Sequence, residues 1–313
     1  MSWDAAPGIG FGCCPMGGHG WGKVDEQQLV DAVHTALDLG IQLFDTADVY
    51  GLGASETILG RALAGRRHEA VIATKFGVRY EHGKSRYDNS RTWILQAAEA
   101  SLRRLHVDVI DLYQMHYWDG TTPLPEIVGT LQDLTVAGKI RAWGITNHSP
   151  TDAALSQSGL RCKTYSFQYS LVQRQAEREI LAHQHAGRQV FLGWGSLGQG
   201  ILSGKYQDLS QLDPTDRRHR EVYANFHGDR FAAVQRLLAG MQTIAAEIGV
   251  ATLSQLALRW VIDRIPRSIA LVGIKRPEQI RDAAGSLDFR LEPAVLARLD
   301  ALSADFESAP RQR

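Results

Sequence analysis

Short β-prone runs alternate with longer stretches of helical apolar spacing through almost the whole chain, and that rhythm admits few architectures. The candidate strands are residues 41–45 (IQLFD), 71–75 (VIATK), 109–114 (VIDLYQ), 140–145 (IRAWGI), 164–168 (TYSFQ), 189–193 (QVFLG) and 269–272 (IALV). Several are apolar almost throughout, as strands covered on both faces should be. Between them, 25–38, 54–63, 90–105, 124–137, 173–186, 229–248 and 276–284 carry helical spacing, as in Leu29, Val33, Ala36 and Leu37. Asp25 and Ser90 can cap helix starts, and Gly40 and Gly138 lie just past helix ends, where a left-handed residue is wanted. An eighth strand at 8–12 (GIGFG) is weak by composition, since glycine offers nothing to pack; it is included because eight units close a barrel. The expectation is an α/β chain, a single-domain (β/α)8 TIM barrel over residues 1–313. A charged segment at 203–228, containing DPTDRRHRE, would lie over its mouth.

Charge narrows the partners. The 34 basic and 34 acidic residues cancel, so the footprint of a general nucleic-acid or acidic-membrane binder is missing and a small molecule is the expected ligand. Cys13, Cys14 and Cys162 form neither an even disulfide framework nor a Cys-x-x-Cys pair, which suits a reducing compartment, by default the cytoplasm. The first ten residues have no basic start followed by an apolar run, and no stretch of about 18 apolar residues occurs, so neither secretion nor a membrane span is expected.

In a (β/α)8 barrel the reactive groups sit at the C-terminal ends of the strands. Asp45 ends IQLFD, Tyr50 follows in DTADVYG, Lys75 ends VIATK, and His116 follows VIDLYQM. A carboxylate, a phenol, an amine and an imidazole on one rim suit carbonyl reduction, because a hydride reaching the carbonyl carbon requires a proton at the oxygen. A free phenol ionises near pH 10, and a nearby ammonium is expected to shift Tyr50 downward. Asp45 would hold Lys75 charged and in place, and His116 could hydrogen-bond the carbonyl oxygen.

These residues stand in strings that resemble the aldo-keto reductase superfamily: LFDTADVYGLGASETILGRAL, with its Asp-x-x-x-x-Tyr-Gly and following Glu-x-x-x-Gly; ATKFG; SLRRLHVDVIDLYQMH; and GKIRAWGITNHS. The likeness is ordered along about residues 8 to 290 and implies a barrel that reduces a small carbonyl substrate with NADPH, NADH being the less favoured cofactor. It implies a tetrad of Asp45, Tyr50, Lys75 and His116, with Tyr50 as the proton donor. No strand-Gly-x-Gly-x-x-Gly-helix unit is present, so the nicotinamide cofactor would bind across the barrel mouth. By resemblance, Thr146 and Asn147 lie near the carboxamide and Trp194 stacks on the ring. Ser196, Leu197, Gly198 and Gly200 in GWGSLGQGILSGKY would approach the pyrophosphate. In LVGIKRPEQI, which contains Gly273, Lys275 or Arg276 would meet a 2′-phosphate, with Gln279 and Asp282 near the adenine. Relatives often carry Gln where this chain has Ser166; Gln168 shares that strand face, and either can take the carboxamide. Cys14 falls where relatives often have an aromatic residue.

Trp21, Phe76, Tyr80, Tyr87 and Trp118 are candidate substrate walls, and Arg79, Lys84 and Arg86 could draw an anionic substrate. Three other readings compete: a Schiff-base aldolase using Lys75, a redox-sensing subunit resembling the β subunits of potassium channels, and a metal-dependent hydrolase. The first leaves the cofactor-like segments without a role, and the second lacks a long N-terminal regulatory tail. His183 and His185 are the nearest approach to a ligand pair, but two residues apart on a helix they share no face.

Overall fold

The computed structural model describes residues 8–148, 162–186, 189–206, 208, 210 and 212–309, with backbone only at 182–186. Eight parallel strands close a barrel: β1 (Gly8–Gly12), β2 (Leu43–Asp45), β3 (Val71–Phe76), β6 (Ile110–Met115), β7 (Ile140–Thr146), β8 (Thr164–Gln168), β9 (Val190–Trp194) and β10 (Ser268–Gly273). The ring closes where β1 pairs with both β2 and β10. A separate antiparallel hairpin, β4 (Val78–Glu81) and β5 (Lys84–Tyr87), follows the third barrel strand. No single helix among the described residues is long and apolar enough to cross a membrane.

The weak strand at 8–12 is part of the barrel, and its glycines have a packing reason. A Cβ at Gly10 would lie 2.6 Å from Leu271 Cδ2 and 3.3 Å from Leu43 Cδ2, so the barrel interior has no room for a side chain there. Leu43, Val71, Ala73, Leu112, Ala142, Val190, Leu192 and Leu271 fill that interior, as barrel cores are filled. The residues between them, such as Phe44, Ile72, Tyr113, Ile145 and Phe191, face outward into the larger core under the helices. Each strand therefore sorts its side chains by parity, and continuing the inward parity upward brings Asp45, Lys75, Gln114, Thr146, Ser166, Gln168 and Trp194 toward the rim.

Around the barrel run helices Glu26–Asp38, Ala54–Ala62, Arg91–Leu105, Leu124–Val136, Glu177–Ala186, Gly228–Ile248 and Pro277–Ala284. Asp25 and Ser90 cap two of them by accepting hydrogen bonds from the amides of Gln28 and Trp93. Gly40 and Gly138 are left-handed, with φ of 75° and 72°. Three elements are absent from the sequence-based expectation. Leu253–Arg264 is buried on most of its circumference, which erases amphipathic spacing, although Thr252 caps it through the amide of Gln255. Pro293–Ser308 begins with proline in its first turn, a start signal in its own right. The hairpin turns through His82 and Gly83, both at positive φ (50° and 79°), the backbone of a tight hairpin turn.

Candidate active site

Asp45 and Lys75 form a buried ion pair, Oδ1 to Nζ 2.6 Å, at the C-terminal ends of β2 and β3. A buried pair of this kind must satisfy its remaining atoms to be tolerated. Gln114 donates to the other Asp45 oxygen at 3.3 Å, and Lys75 donates also to the carbonyl of Thr46 at 2.8 Å and to the Tyr50 hydroxyl at 3.4 Å. The ammonium lies 5.0 Å from the Tyr50 ring centre. His116 stands edge-on to Tyr50, ring centres 5.9 Å apart. All four rim residues of the sequence reading thus meet in one place.

Burial, followed by the neighbouring Cys14 and Asp45, pushes the Tyr50 phenol well above its ordinary range. The expectation that Lys75 would bring it below that range is corrected: desolvation outweighs an ammonium whose shortest contacts go to Asp45 and Thr46. Tyr50 is therefore a neutral phenol with a proton to give. Burial and then Lys75 hold His116 well below the usual imidazole range, so the ring is neutral at physiological pH. Its Nδ1 is buried and has no hydrogen-bond partner among the described residues.

The cluster opens into a cavity of about 940 Å³. Its walls include Thr146, Asn147, Ser166, Gln168 and Trp194, then Ser196, Leu197 and Gly200, and also Gly273, Lys275, Arg276 and Gln279. Asn147 accepts from Trp194 Nε1 at 3.1 Å, which fixes the indole. Ser166 donates to the carbonyl of Leu192 at 2.7 Å, and the Ser196 hydroxyl ties its turn to the carbonyl of Gly193 at 2.7 Å. The Gln279 side chain accepts from the amides of Lys275 and Arg276 at 2.8 and 3.2 Å. Lys275 donates to the carbonyl of Trp21, and burial followed by Arg218 lowers its ammonium from the ordinary range. Arg276 pairs with Glu278 at 2.7 Å.

Of the residues selected from the sequence, Tyr80 and Tyr87 lie on the hairpin and do not line the cavity, and four more are placed elsewhere. Phe76 has outward parity and is fully buried against Tyr113, ring centres 4.8 Å apart, so it walls no substrate pocket. Trp118 turns its indole back to the carbonyl of Thr122 at 2.9 Å, in a loop gathered around Asp119, and is not among the cavity residues. Asp282 accepts from Thr252 at 2.7 Å and Gln255 at 3.1 Å, joining two helices rather than facing the cavity. Gly198 packs beneath the turn, its amide donating to the carbonyl of Gly195 at 2.7 Å. Trp21 and Cys14 do line the cavity.

Tyr117 and Gln199 line the cavity without having been selected, and Arg217, Arg218 and Tyr223 reach it from the charged segment expected over the mouth. Gln114, which holds Asp45, was also not selected, although it shares inward parity with Lys75 and could have been found that way; Tyr117 and Gln199 needed the fold. Arg218 is clamped to Asp216 at 2.7 Å and donates to the Tyr206 hydroxyl at 2.5 Å, fixing this part of the charged segment at the cavity edge.

Asp119 offers a pH test of the loop after His116. Burial alone would raise its carboxyl, but hydrogen bonds from the Thr122 hydroxyl and the amides of Asn89, Thr122 and Thr121 prevail and hold it at about 2. Because the folded value lies below the unfolded one of about 4, its stabilisation is present above pH ~4 and is lost as pH falls toward 2. Asp119→Asn should lose about 1 kcal/mol at neutral pH, solvent screening included. In urea melts the gap from the unmodified protein should close in that acidic window; a gap constant from pH 7 to 2 would rule out the linkage.

A closed parallel barrel with a carboxylate, an ammonium, a phenol and an imidazole at its C-terminal rim is the architecture of a barrel enzyme. The sequence model described as "Aldo/keto reductase family" matches residues 8–304. Aldo-keto reductase YhdN of Bacillus subtilis (strain 168) is 32% identical over 87% of this chain and 82% of its own length. Aldo-keto reductase yakc [NADP(+)] of Schizosaccharomyces pombe is 31% identical over 95% and 88%. Among solved structures, glycerol dehydrogenase AKR11B4 of Gluconobacter oxydans superposes with a TM-score of 0.87 at 32% identity, covering 100% of this chain and 98% of that one. An aldo/keto reductase of Klebsiella pneumoniae in complex with NADP and acetate gives 0.73 at 29% identity, over 99% and 95%. The chain belongs to the aldo/keto reductase family and is an oxidoreductase.

Proposed function

We propose that the chain reduces an aldehyde or ketone to the alcohol, Tyr50 passing its phenolic proton to the carbonyl oxygen. The observation that carries this reading is the run of contacts from Asp45 through Lys75 to Tyr50, opening beside His116 into the cavity. The residues fit a nicotinamide dinucleotide. Thr146 Oγ1 is buried without a hydrogen-bond partner among the described residues, and Gly200 and Gly273 leave stretches of wall without side chains. When bound, the reduced cofactor supplies the hydride.

Tyr50 is a neutral acid in the resting site, and Lys75, held by Asp45, stabilises the phenolate left after proton transfer. His116, neutral, offers a hydrogen bond that orients the carbonyl. Thr146, Asn147 and Gln168 would hold the carboxamide: the Ser166 hydroxyl is already given to Leu192, whereas the Gln168 amide makes no hydrogen bond with the described residues. Trp194, braced by Asn147, would lie against the ring. Cys14, Trp21, Tyr117 and Tyr223 are left to receive the substrate. The three free thiols suit a reducing cytoplasm.

Lys275 and Arg276 in the cavity wall favour NADPH over NADH, because a charge-assisted contact to a 2′-phosphate is available only in NADPH. Fluorescence titration should find NADPH bound about tenfold or more tighter than NADH, the scale of one such contact. Lys275→Ala combined with Arg276→Ala should narrow the difference. Equal affinities in the unmodified protein would remove the assignment.

A further inference from the structure

His116 is held in an unusual way for a group that must aim at one oxygen. Its Nδ1 has no hydrogen-bond partner among the described residues, so no hydrogen bond at that nitrogen sets the ring plane. Instead the imidazole stacks on Tyr117, with centres 4.9 Å apart and planes 18° apart, and takes the edge contact of Tyr50. Tyr117 in turn stacks on Tyr87, at 5.0 Å and 21°. Tyr87 is about half exposed, lies on the hairpin outside the barrel and does not line the cavity.

The feet of that hairpin grip the segment that carries Tyr117. Asn89 and Asp119 exchange two hydrogen bonds, the Asn89 amide to Asp119 Oδ2 at 2.9 Å and the Asp119 amide to Asn89 Oδ1 at 2.6 Å. At the other foot Gly77, with φ of 101°, accepts from the amide of Asp88 at 3.1 Å. A Cβ on Gly77 would meet Asn89 Nδ2 at 2.5 Å and the carbonyl of Tyr117 at 3.1 Å, so the hairpin base and the residue after His116 are in direct contact. Arg79, paired with Asp88 at 3.2 Å and lying 4.8 Å from the Trp93 ring centre, fastens the first hairpin strand to the helix that follows.

We propose that Tyr87 is a positioning residue, its ring holding Tyr117 against His116 and thereby fixing the plane of the imidazole, so that a surface hairpin governs the rate of hydride transfer. This rests on the reading of His116 as the group that faces the carbonyl. Removing the outer ring of the stack lets Tyr117 and then His116 sample other orientations, which weakens a hydrogen bond needed in the transition state while leaving cofactor contacts alone.

The test uses the full chain with NADPH and 4-nitrobenzaldehyde as the probe, reading single-turnover oxidation of bound NADPH by stopped flow. Tyr87→Ala should slow that step about three- to tenfold, the scale of one aromatic pair, with KM, NADPH affinity and melting temperature close to the unmodified values. Tyr87→Phe, which keeps the ring, should restore the rate. An unchanged rate in Tyr87→Ala, a loss confined to KM, or a Tyr87→Phe as slow as Tyr87→Ala would each overturn the proposal. Tyr50→Phe in the same assay separates the two levels: if it keeps the rate, the reading of the site itself fails, whereas loss there with normal Tyr87→Ala sinks the hairpin alone.

Discussion

Tyr50→Phe is expected to lower carbonyl reduction by about a hundredfold or more, the scale of lost general-acid catalysis, while fold and cofactor affinity persist. The change deletes one oxygen, whose nearest partner is Lys75 at 3.4 Å, and that ammonium keeps its contacts to Asp45 and Thr46. No buried charge loses its principal partner, so stability should move by less than about 1 kcal/mol. The measurement is single-turnover oxidation of bound NADPH beside a thermal melt. Near-normal turnover with hydride transfer limiting would contradict the role of Tyr50, and a collapse in melting temperature would turn the variant into a folding mutant.

Arg104→Met should produce the largest loss of stability. Glu56 is fully buried beneath the Tyr50 loop, its carboxylate taking a hydrogen bond from Thr74 at 2.6 Å and from Arg104 Nε at 2.7 Å. Burial and then the Glu56 charge push nearby Asp48 up to about 8, so a second carboxylate cannot share the site in ionised form at neutral pH. Removing the guanidinium leaves a buried charge without its counter-ion, a loss of about 3–5 kcal/mol. For a chain of this size that is a fall in melting temperature of roughly 5–8 °C. Adding Glu56→Gln should recover part of it by removing the orphaned charge; a single variant within 1 kcal/mol of the unmodified protein would show that the pair is not a structural anchor.

The barrel was legible because parallel strands buried on both faces write themselves as apolar runs, and seven of them follow one another with helical spacers. The strand at 8–12 was the hardest to read, since glycine is a poor strand former; what places it is the bulk of Leu43 and Leu271 on its neighbours, a fact of packing rather than of local preference. Leu253–Arg264 was missed for the opposite reason, being covered too completely to show a polar face.

At the site, Asp45, Tyr50, Lys75 and His116 could be read because strand ends are legible and each side chain has a distinct chemistry. Phe76 shows the limit: adjacent to Lys75, it was taken for a pocket wall, but one step along a strand reverses the direction of the side chain. Asp282 was misplaced because resemblance transfers a position and not an orientation, and Trp118 because an aromatic residue in a mouth loop need not face the pocket; hydrogen bonds with Thr252 and Thr122 decide the two orientations. Tyr117 and Tyr87 carry no signature; their relation to His116 exists only once the hairpin has formed.

The leucines and valines that fill the barrel axis have a kinetic meaning beyond stability. With Leu43, Leu112, Leu192 and Leu271 plugging the space below the Asp45–Lys75 pair, the cavity is a blind well, and its floor is sealed against traffic. Whatever enters must leave on the rim side, where the cavity walls include Trp21 and Tyr223, whose rings meet edge to face at 6.4 Å. Arrival and departure therefore compete for one passage, and a change at the rim that speeds one of them will be felt by the other.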